Sequence, residues 1–172
     1  MSIEIRMTEY PTAEDWMEVK RRALVTVGMI PKEGPTEKWK DDILNARHSP
    51  IRRLRFSFDI YNIPYYVSVH LARHVHAQPY IKSQRNDRQN EYDRNAARQD
   101  SLVSMIWDLN GEEMMIVFNK RLCNKADSKT RKVIEMLRDI VVSECPEFAK
   151  HAVKMCEYLG RCPEMKSCKE GE

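Results

Sequence analysis

The sequence predicts a helix-rich α+β fold, a single domain over residues 1–172 with a small antiparallel sheet completed by oligomerisation. Three observations carry that prediction. Helix-capping residues repeatedly stand ahead of apolar positions spaced three and four apart. One segment, Leu54 to Ile60, alternates apolar and polar residues as a half-buried strand does. The composition, 42% apolar and 32% charged over 172 residues, suits one globular unit and not a disordered chain.

Taken in order, a short strand is expected at Ile3 to Met7. Thr12 and Asp15 form a capping box for a helix whose buried face is read as Trp16, Val19, Ala23 and Val27. Pro31 to Pro35 breaks the chain, and Thr36 caps a second helix carrying Trp39, Ile43 and Leu44. After the alternating strand, Pro64 fits the first turn of a helix running to about His74. The stretch Gln84 to Asp100 is polar, with no periodic apolar face. Asp100 or Ser101 is read as the start of a long helix through Leu102, Met105, Leu109, Ile116 and Cys123, bent at Gly111. Asp127 caps a helix with Val133, Ile134, Leu137 and Val141 on one side, and Pro146 opens a last helix ending near Gly160. A sheet needs more strand than these segments supply, so further strands or neighbouring subunits are expected.

Bulk composition narrows the function classes. Lys and Arg total 29 against 26 Asp and Glu, and a net charge of +3 does not mark a nucleic-acid binder. In the stretch from Lys82 to Arg98, five basic residues alternate with Asp87, Glu91 and Asp93, which reads as a solvated loop; Tyr80 and Tyr92 read as packing residues there, not base-stacking ones. No apolar run approaches the roughly 20 residues of a membrane span. MSIEIRMTEY lacks the apolar core and cleavage site of a secretory leader, and five cysteines, an odd number, do not form a disulfide framework; the expected location is the cytoplasm. Cys156, Cys162 and Cys168 fall six apart. However, they lack a CxxC pair and a fourth ligand, with His151 the one nearby imidazole, so they are read as free thiols and no metal is expected.

The segment LARHVHAQPYIKSQR, Leu71 to Arg85, concentrates the chemistry. A helix-end guanidinium followed by a loop with a hydroxyl, amides and a second guanidinium is a grip for phosphate, because Arg presents a planar fork of donors. Arg73-His74-Val75, seven residues, then Ser83 resembles the R-H-R, seven residues, S signature of the flavin-dependent thymidylate synthases, the ThyX family. Upstream, His48-Ser49-Pro50 leads into Arg55-Phe56-Ser57-Phe58, similar to that family's H-x-S/T-P-F-E-H and x-F-T-F. Downstream, Asn110, then Asn119-Lys120-Arg121-Leu122-Cys123 and Ala126, resembles its second block. The likeness covers roughly residues 45 to 150.

The resemblance implies a homotetramer with FAD and dUMP at subunit interfaces. It also implies C5 methylation of dUMP to dTMP, with methylenetetrahydrofolate as carbon donor and NADPH as reductant. C5 of uracil is a weak nucleophile unless charge building on its oxygens is stabilised, which a guanidinium can do. By resemblance, Arg121 and Ser83 are the catalytic residues, and Ser83, Gln84, Arg85, Arg98 and Arg121 hold the nucleotide. Ser49, Arg73, His74 and Asn110 would contact the flavin. Cys123 is not a nucleophile on this reading and is expected to be a small buried thiol.

The departures from the pattern matter. Val75 replaces an Arg, Arg52 stands where the family has Glu, Glu112 where it has Arg, and Ile81 where it has Glu or Gln; the stretch between Ser83 and Arg121 is short. The flavin side therefore loses two cations and gains one, with Arg52, Arg53 or His76 as possible compensation, while the nucleotide side is better kept. Two alternatives follow. One is a ThyX-like enzyme acting on another pyrimidine, such as dCMP, UMP or a polymer-borne base. The other is a non-catalytic homologue that binds nucleotide or nucleic acid.

Overall fold

Period-two alternation builds the two strands at the centre of the molecule. In β2 (Arg55–Pro64), Phe56, Phe58 and Ile60 are buried; in β4 (Leu102–Asn110), Val103, Met105, Trp107 and Leu109 are buried. The two pair antiparallel with Phe56 opposite Leu109, Phe58 opposite Trp107 and Ile60 opposite Met105, so their apolar faces coincide. β1 (Glu4–Glu9) flanks β2 and β3 (Gln78–Ile81) flanks β4, giving the order β1-β2-β4-β3 with every pair antiparallel. This computed structural model describes residues 2–85, 87 and 93–168; Asn86, Arg88, Glu91 and Tyr92 of the expected polar loop lie outside the described residues.

β2 runs past the expected Ile60 to Pro64. The register shifts between Ile60 and Ile63, where Asn62 takes φ 59°, a left-handed conformation that Asn tolerates better than most residues. Pro64 is consequently the last residue of β2 and the residue before the next helix, not part of its first turn.

The long helix expected from residue 100 to 123 is two elements. Its first half is β4, and α4 (Gly111–Arg121) begins where Asn110 accepts a hydrogen bond from the Glu113 amide. Leu102 and Ile106 are apolar yet lie on the exposed outer face of the sheet, which hid the alternation Val103, Met105, Trp107, Leu109 behind a three-and-four spacing. Tyr80, opposite Ile106, extends this open face.

The remaining helices cover the other face. α1 (Ala13–Val25) has the full Thr12–Asp15 capping box, and Trp16 and Val19 are buried. The helix stops before Val27, which is exposed and not on the buried face as expected. α2 (Glu37–Asn45) is capped by Thr36. α3 (Tyr65–Ala72) follows β2 directly, and α5 (Ser128–Glu144), capped by Asp127, buries Val133, Ile134, Leu137 and Val141.

After Pro146 the chain does not form one helix. A single 3-10 turn, Pro146–Phe148, drives Phe148 into the core edge-on to Phe56, with ring centroids 5.2 Å apart, and α6 (Met155–Leu159) starts later. Burying Phe148 next to Trp16 outweighs continuing the helix. Cys123 is only half-buried; the buried thiol is Cys145, pushed up to about 12 by burial and the nearby Glu147 and Glu144.

Gly111 is the tightest joint between strand, turn and helix. Its amide donates to the Leu54 carbonyl, and a Cβ there would sit 2.8 Å from the Ile51 carbonyl oxygen and 3.2 Å from Leu54 Cβ. Gly111→Ala must therefore push backbone apart, a strain of about 1–3 kcal/mol. Thermal unfolding is expected to show a midpoint lowered by several degrees, by roughly 2–4 °C per kcal/mol for a chain of this size.

Candidate functional site

α3 and α4 position the predicted residues. The first amides of α3 are satisfied by the chain entering β4, Tyr65 N to Ser101 O at 2.9 Å and Tyr66 N to Gln99 O at 3.1 Å. At its other end Arg73 closes the helix, and a turn carries His74 inward, 7% exposed, against Trp107. Arg121 lies in the last turn of α4.

These ends meet in a chain of hydrogen bonds. Glu113 Oε1 lies 2.8 Å from His74 Nδ1, Arg121 Nε donates to His74 Nε2 at 3.0 Å, and an Arg121 terminal nitrogen donates to the His70 carbonyl at 2.7 Å. Arg121 Nε can only donate, so His74 Nε2 presents its lone pair, the imidazole proton sits on Nδ1, and Nδ1–H donates to Glu113. His74 thus lies along α4, tying side chains eight residues, about two turns, apart. Burial lowers the Arg121 pKa, and the charge of Arg73 lowers it further. Among the described residues, two of the five guanidinium N–H donors are used.

Ser83, Gln84 and Arg85 line a second, shallow cleft with Tyr65, Ile81 and Arg94. Ser83 Oγ accepts from the Arg85 amide at 3.3 Å, and Arg85 makes a two-pronged ion pair with Asp87. Tyr65 opens α3 and His74 follows its end, so the cleft and the Arg121 cluster are separated by the length of that helix, about 13 Å. Arg98 stands apart with Tyr66 and Gln99, paired to Asp100.

The third group surrounds the start of α4. Asn110 caps that helix through Oδ1. Ser49, exposed, opens the 3-10 turn Ser49–Arg53 whose Ile51 and Leu54 pack against Gly111. Arg52 and Glu112, the two residues whose charges are exchanged relative to the ThyX pattern, form an ion pair with each other. Arg53 pairs with Asp15 at 3.0 Å. Neither Arg52 nor Arg53 is therefore an uncommitted cation.

The chain thus brings together Arg73, His74 and Arg121, and separately Ser83, Gln84 and Arg85, and separately Ser49 and Asn110. Sequence reasoning missed Glu113 and the His70 carbonyl. The signal for Glu113 was present: it shares a helical stripe with the apolar Val117 four residues on, an unusual place for a carboxylate.

No protein-family model matches the sequence, and a sequence search of curated proteins returns no match. Solved structures do match. The thymidylate synthase ThyX of Helicobacter pylori with FAD and dUMP superposes with a TM-score of 0.70 at 14% identity, covering 91% of this chain and 99% of that one. A second structure of ThyX from Helicobacter pylori complexed with FAD and dUMP gives 0.68 at 17% identity, over 88% and 100%. A UMP/dUMP methylase, PolB from Streptomyces cacaoi, bound with 5-Br dUMP gives 0.66 at 11%, over 89% and 97%. The four-stranded antiparallel sheet and its helical cover are thus the fold of the flavin-dependent thymidylate synthases.

Proposed function

We propose that the chain, read as one domain throughout, is a divergent ThyX-like enzyme that methylates C5 of a pyrimidine nucleotide, dUMP first. The observation that carries this reading is the clamp on Arg121. A guanidinium that must stabilise charge building on a uracil ring has to be held before the substrate arrives, since a preorganised donor spends nothing on reorientation. Glu113 and the His70 carbonyl hold it through His74 and directly. Arg121 is then the catalytic cation, with Ser83 acting near the ring and Gln84, Arg85 and Arg98 toward the phosphate. The exposed ion pairs of Arg85 and Arg98 with Asp87 and Asp100 are weak enough to yield to a phosphate.

The overall change replaces the C5 hydrogen of the pyrimidine by a methyl group. Its carbon comes from methylenetetrahydrofolate, which leaves as tetrahydrofolate, and NADPH is the terminal reductant. When bound, FAD supplies the hydride that completes the methyl group. The residues present fit an anionic flavin nucleotide, with a weaker hold than the unmodified motif gives. Arg73 and Arg55 carry no ion pair among the described residues, and Asn110 keeps its amide N–H groups unspent. Arg73, Ser49 and Asn110 would hold the cofactor. His74 acts through Arg121, because both its ring nitrogens are already engaged. The open sheet face around Tyr80, Leu102 and Ile106 is consistent with assembly into the homotetramer implied by the motif.

A second substrate reading rests on Ile81, an apolar wall of the Ser83 cleft where the motif has Glu or Gln. It admits UMP or dCMP as well, and one protein of this fold is named for acting on both UMP and dUMP.

Arg121→Ala is expected to abolish NADPH oxidation supported by FAD, folate and dUMP, with the far-UV circular dichroism unchanged. Glu113→Ala leaves His74 Nδ1–H buried without an acceptor, a loss of about 1–3 kcal/mol of stability seen as a lowered unfolding midpoint, and kcat should fall as the clamp on Arg121 loosens. Glu113→Gln keeps an acceptor and should recover most of that loss. Val75 is 81% exposed, so Val75→Arg adds a cation without disturbing packing. FAD titration followed by flavin fluorescence should then show affinity raised up to about five-fold, the size of one exposed ion pair. In thermal-shift assays dUMP should raise the midpoint most, since only a ligand of the folded state does so; a larger shift with UMP or dCMP selects the second reading.

A further inference from the structure

Four of the five cysteines line one cavity. Cys123 follows the end of α4, Cys156 lies in α6, and Cys162 and Cys168 lie on the segment beyond it, around a cavity of about 290 Å³. The fifth, Cys145, is in the core at the end of α5. All five are free thiols. The spacing of Cys156, Cys162 and Cys168 lacked a fourth ligand; the fold supplies one from just past the end of α4.

The walls of this cavity are fastened. Asn119 Nδ2 donates to the Val153 carbonyl at 2.8 Å, anchoring the chain just before α6 to α4. Tyr158 in α6 donates to the Asn45 carbonyl at 3.3 Å and accepts from Arg47 Nε at 3.2 Å, with the Arg47 guanidinium 4.4 Å from its ring centre. Gly160 takes φ 67°, the left-handed turn that ends α6 and sends the chain on to Cys162. Lys120, Lys125 and Lys154 line the cavity against Glu157 and Glu164. Four thiolates on a divalent ion leave two negative charges for these ammonium groups to offset.

We propose that Cys123, Cys156, Cys162 and Cys168 form a tetrathiolate site for a soft-metal centre, a zinc ion or an iron–sulfur cluster, that fastens the C-terminal segment to the end of α4. Among the described residues no three His, Cys, Asp or Glu side chains already surround one metal position. Binding a metal would therefore require the four sulfurs to draw together, the coupling of folding to binding seen in small metal domains. Zinc, with Zn–S near 2.3 Å, would draw the sulfurs to about 3.8 Å from one another. An iron–sulfur cluster spans its four thiolates more widely. The proposal stands independently of the catalytic reading.

The test uses the whole chain purified without oxygen and analysed for metals and acid-labile sulfide. About one zinc per chain without sulfide, or iron with matching sulfide, supports the site and tells the two centres apart. Metal-free chain titrated with Co²⁺ should take up about one equivalent, with thiolate-to-cobalt absorption, and four thiols should become protected from a thiol reagent. Cys145 should stay unreactive with or without metal. Supporting groups around a metal already contribute 10- to 100-fold in affinity, so Cys123→Ser and Cys162→Ser should each weaken Co²⁺ binding by more than about 100-fold. Circular dichroism identifies a variant that fails to fold, and the other then decides. A chain isolated without metal or sulfide that takes up no Co²⁺ overturns the proposal. So does Co²⁺ uptake unchanged in both variants.

Discussion

A buried imidazole with both nitrogens committed fixes how α3 meets α4. Because Arg121 Nε has no lone pair to offer, His74 must accept there and donate to Glu113, and no other tautomer satisfies all three groups. Leaving any one of them unpaired in this burial costs about 1–3 kcal/mol. The arrangement is therefore all-or-none: the turn after α3, the first turn of α4 and the last turn of α4 are set by one ring. Arg121, with its charge opposed by burial and by Arg73, is kept in place by the carboxylate beyond the imidazole and by the His70 carbonyl. A surface Arg would need none of this support.

At the other end of α4 the charges follow a different logic. Arg52 and Glu112 look, along the sequence, like two separate losses from a familiar pattern: a cation where an acid belongs, and an acid where a cation belongs. In the fold they are partners, so the exchange leaves the local net charge where a pair of opposite sign would leave it. Val75 has no such counterpart: it is an exposed apolar side chain, and the swapped pair does not replace the cation missing there. The weakening of an anionic cofactor's hold therefore rests on Val75 far more than on the swapped pair.

Much of this was legible beforehand. Thr12, Thr36 and Asp127 each cap a helix, because a side-chain oxygen ahead of an apolar stripe has few other uses. Phe56, Phe58 and Ile60 announced β2 because Arg55, Ser57 and Asp59 between them are polar. β4 failed the same test only because its outer face carries Leu102 and Ile106; alternation is visible when one face is wet, and this one is partly apolar. For the site, the motif named Arg73, His74 and Arg121 but gave the first two to the flavin and the third to the nucleotide; the fold brings them together, and the motif could not reveal Glu113. That residue's role depends on a contact across 39 positions of chain, which local spacing does not encode.

The separation of the predicted residues into three groups carries its own consequence. Arg121 and Asn110 stand at opposite ends of an 11-residue helix, about 15 Å apart, and the Ser83 cleft lies about 13 Å from His74 along α3. On the proposed reading, a pyrimidine nucleotide must be touched at its ring by Arg121 and at its phosphate by Arg85, and a flavin must reach the same ring. One copy of the chain offers these groups at different ends of α3 and α4. On that reading, a second copy would supply the groups that one chain does not bring onto a single substrate. The open sheet face around Tyr80, Leu102 and Ile106 offers such a copy apolar surface to cover. On the proposed reading the clamp presets the cation within a chain, and a second copy would supply the phosphate-binding loop that it works with.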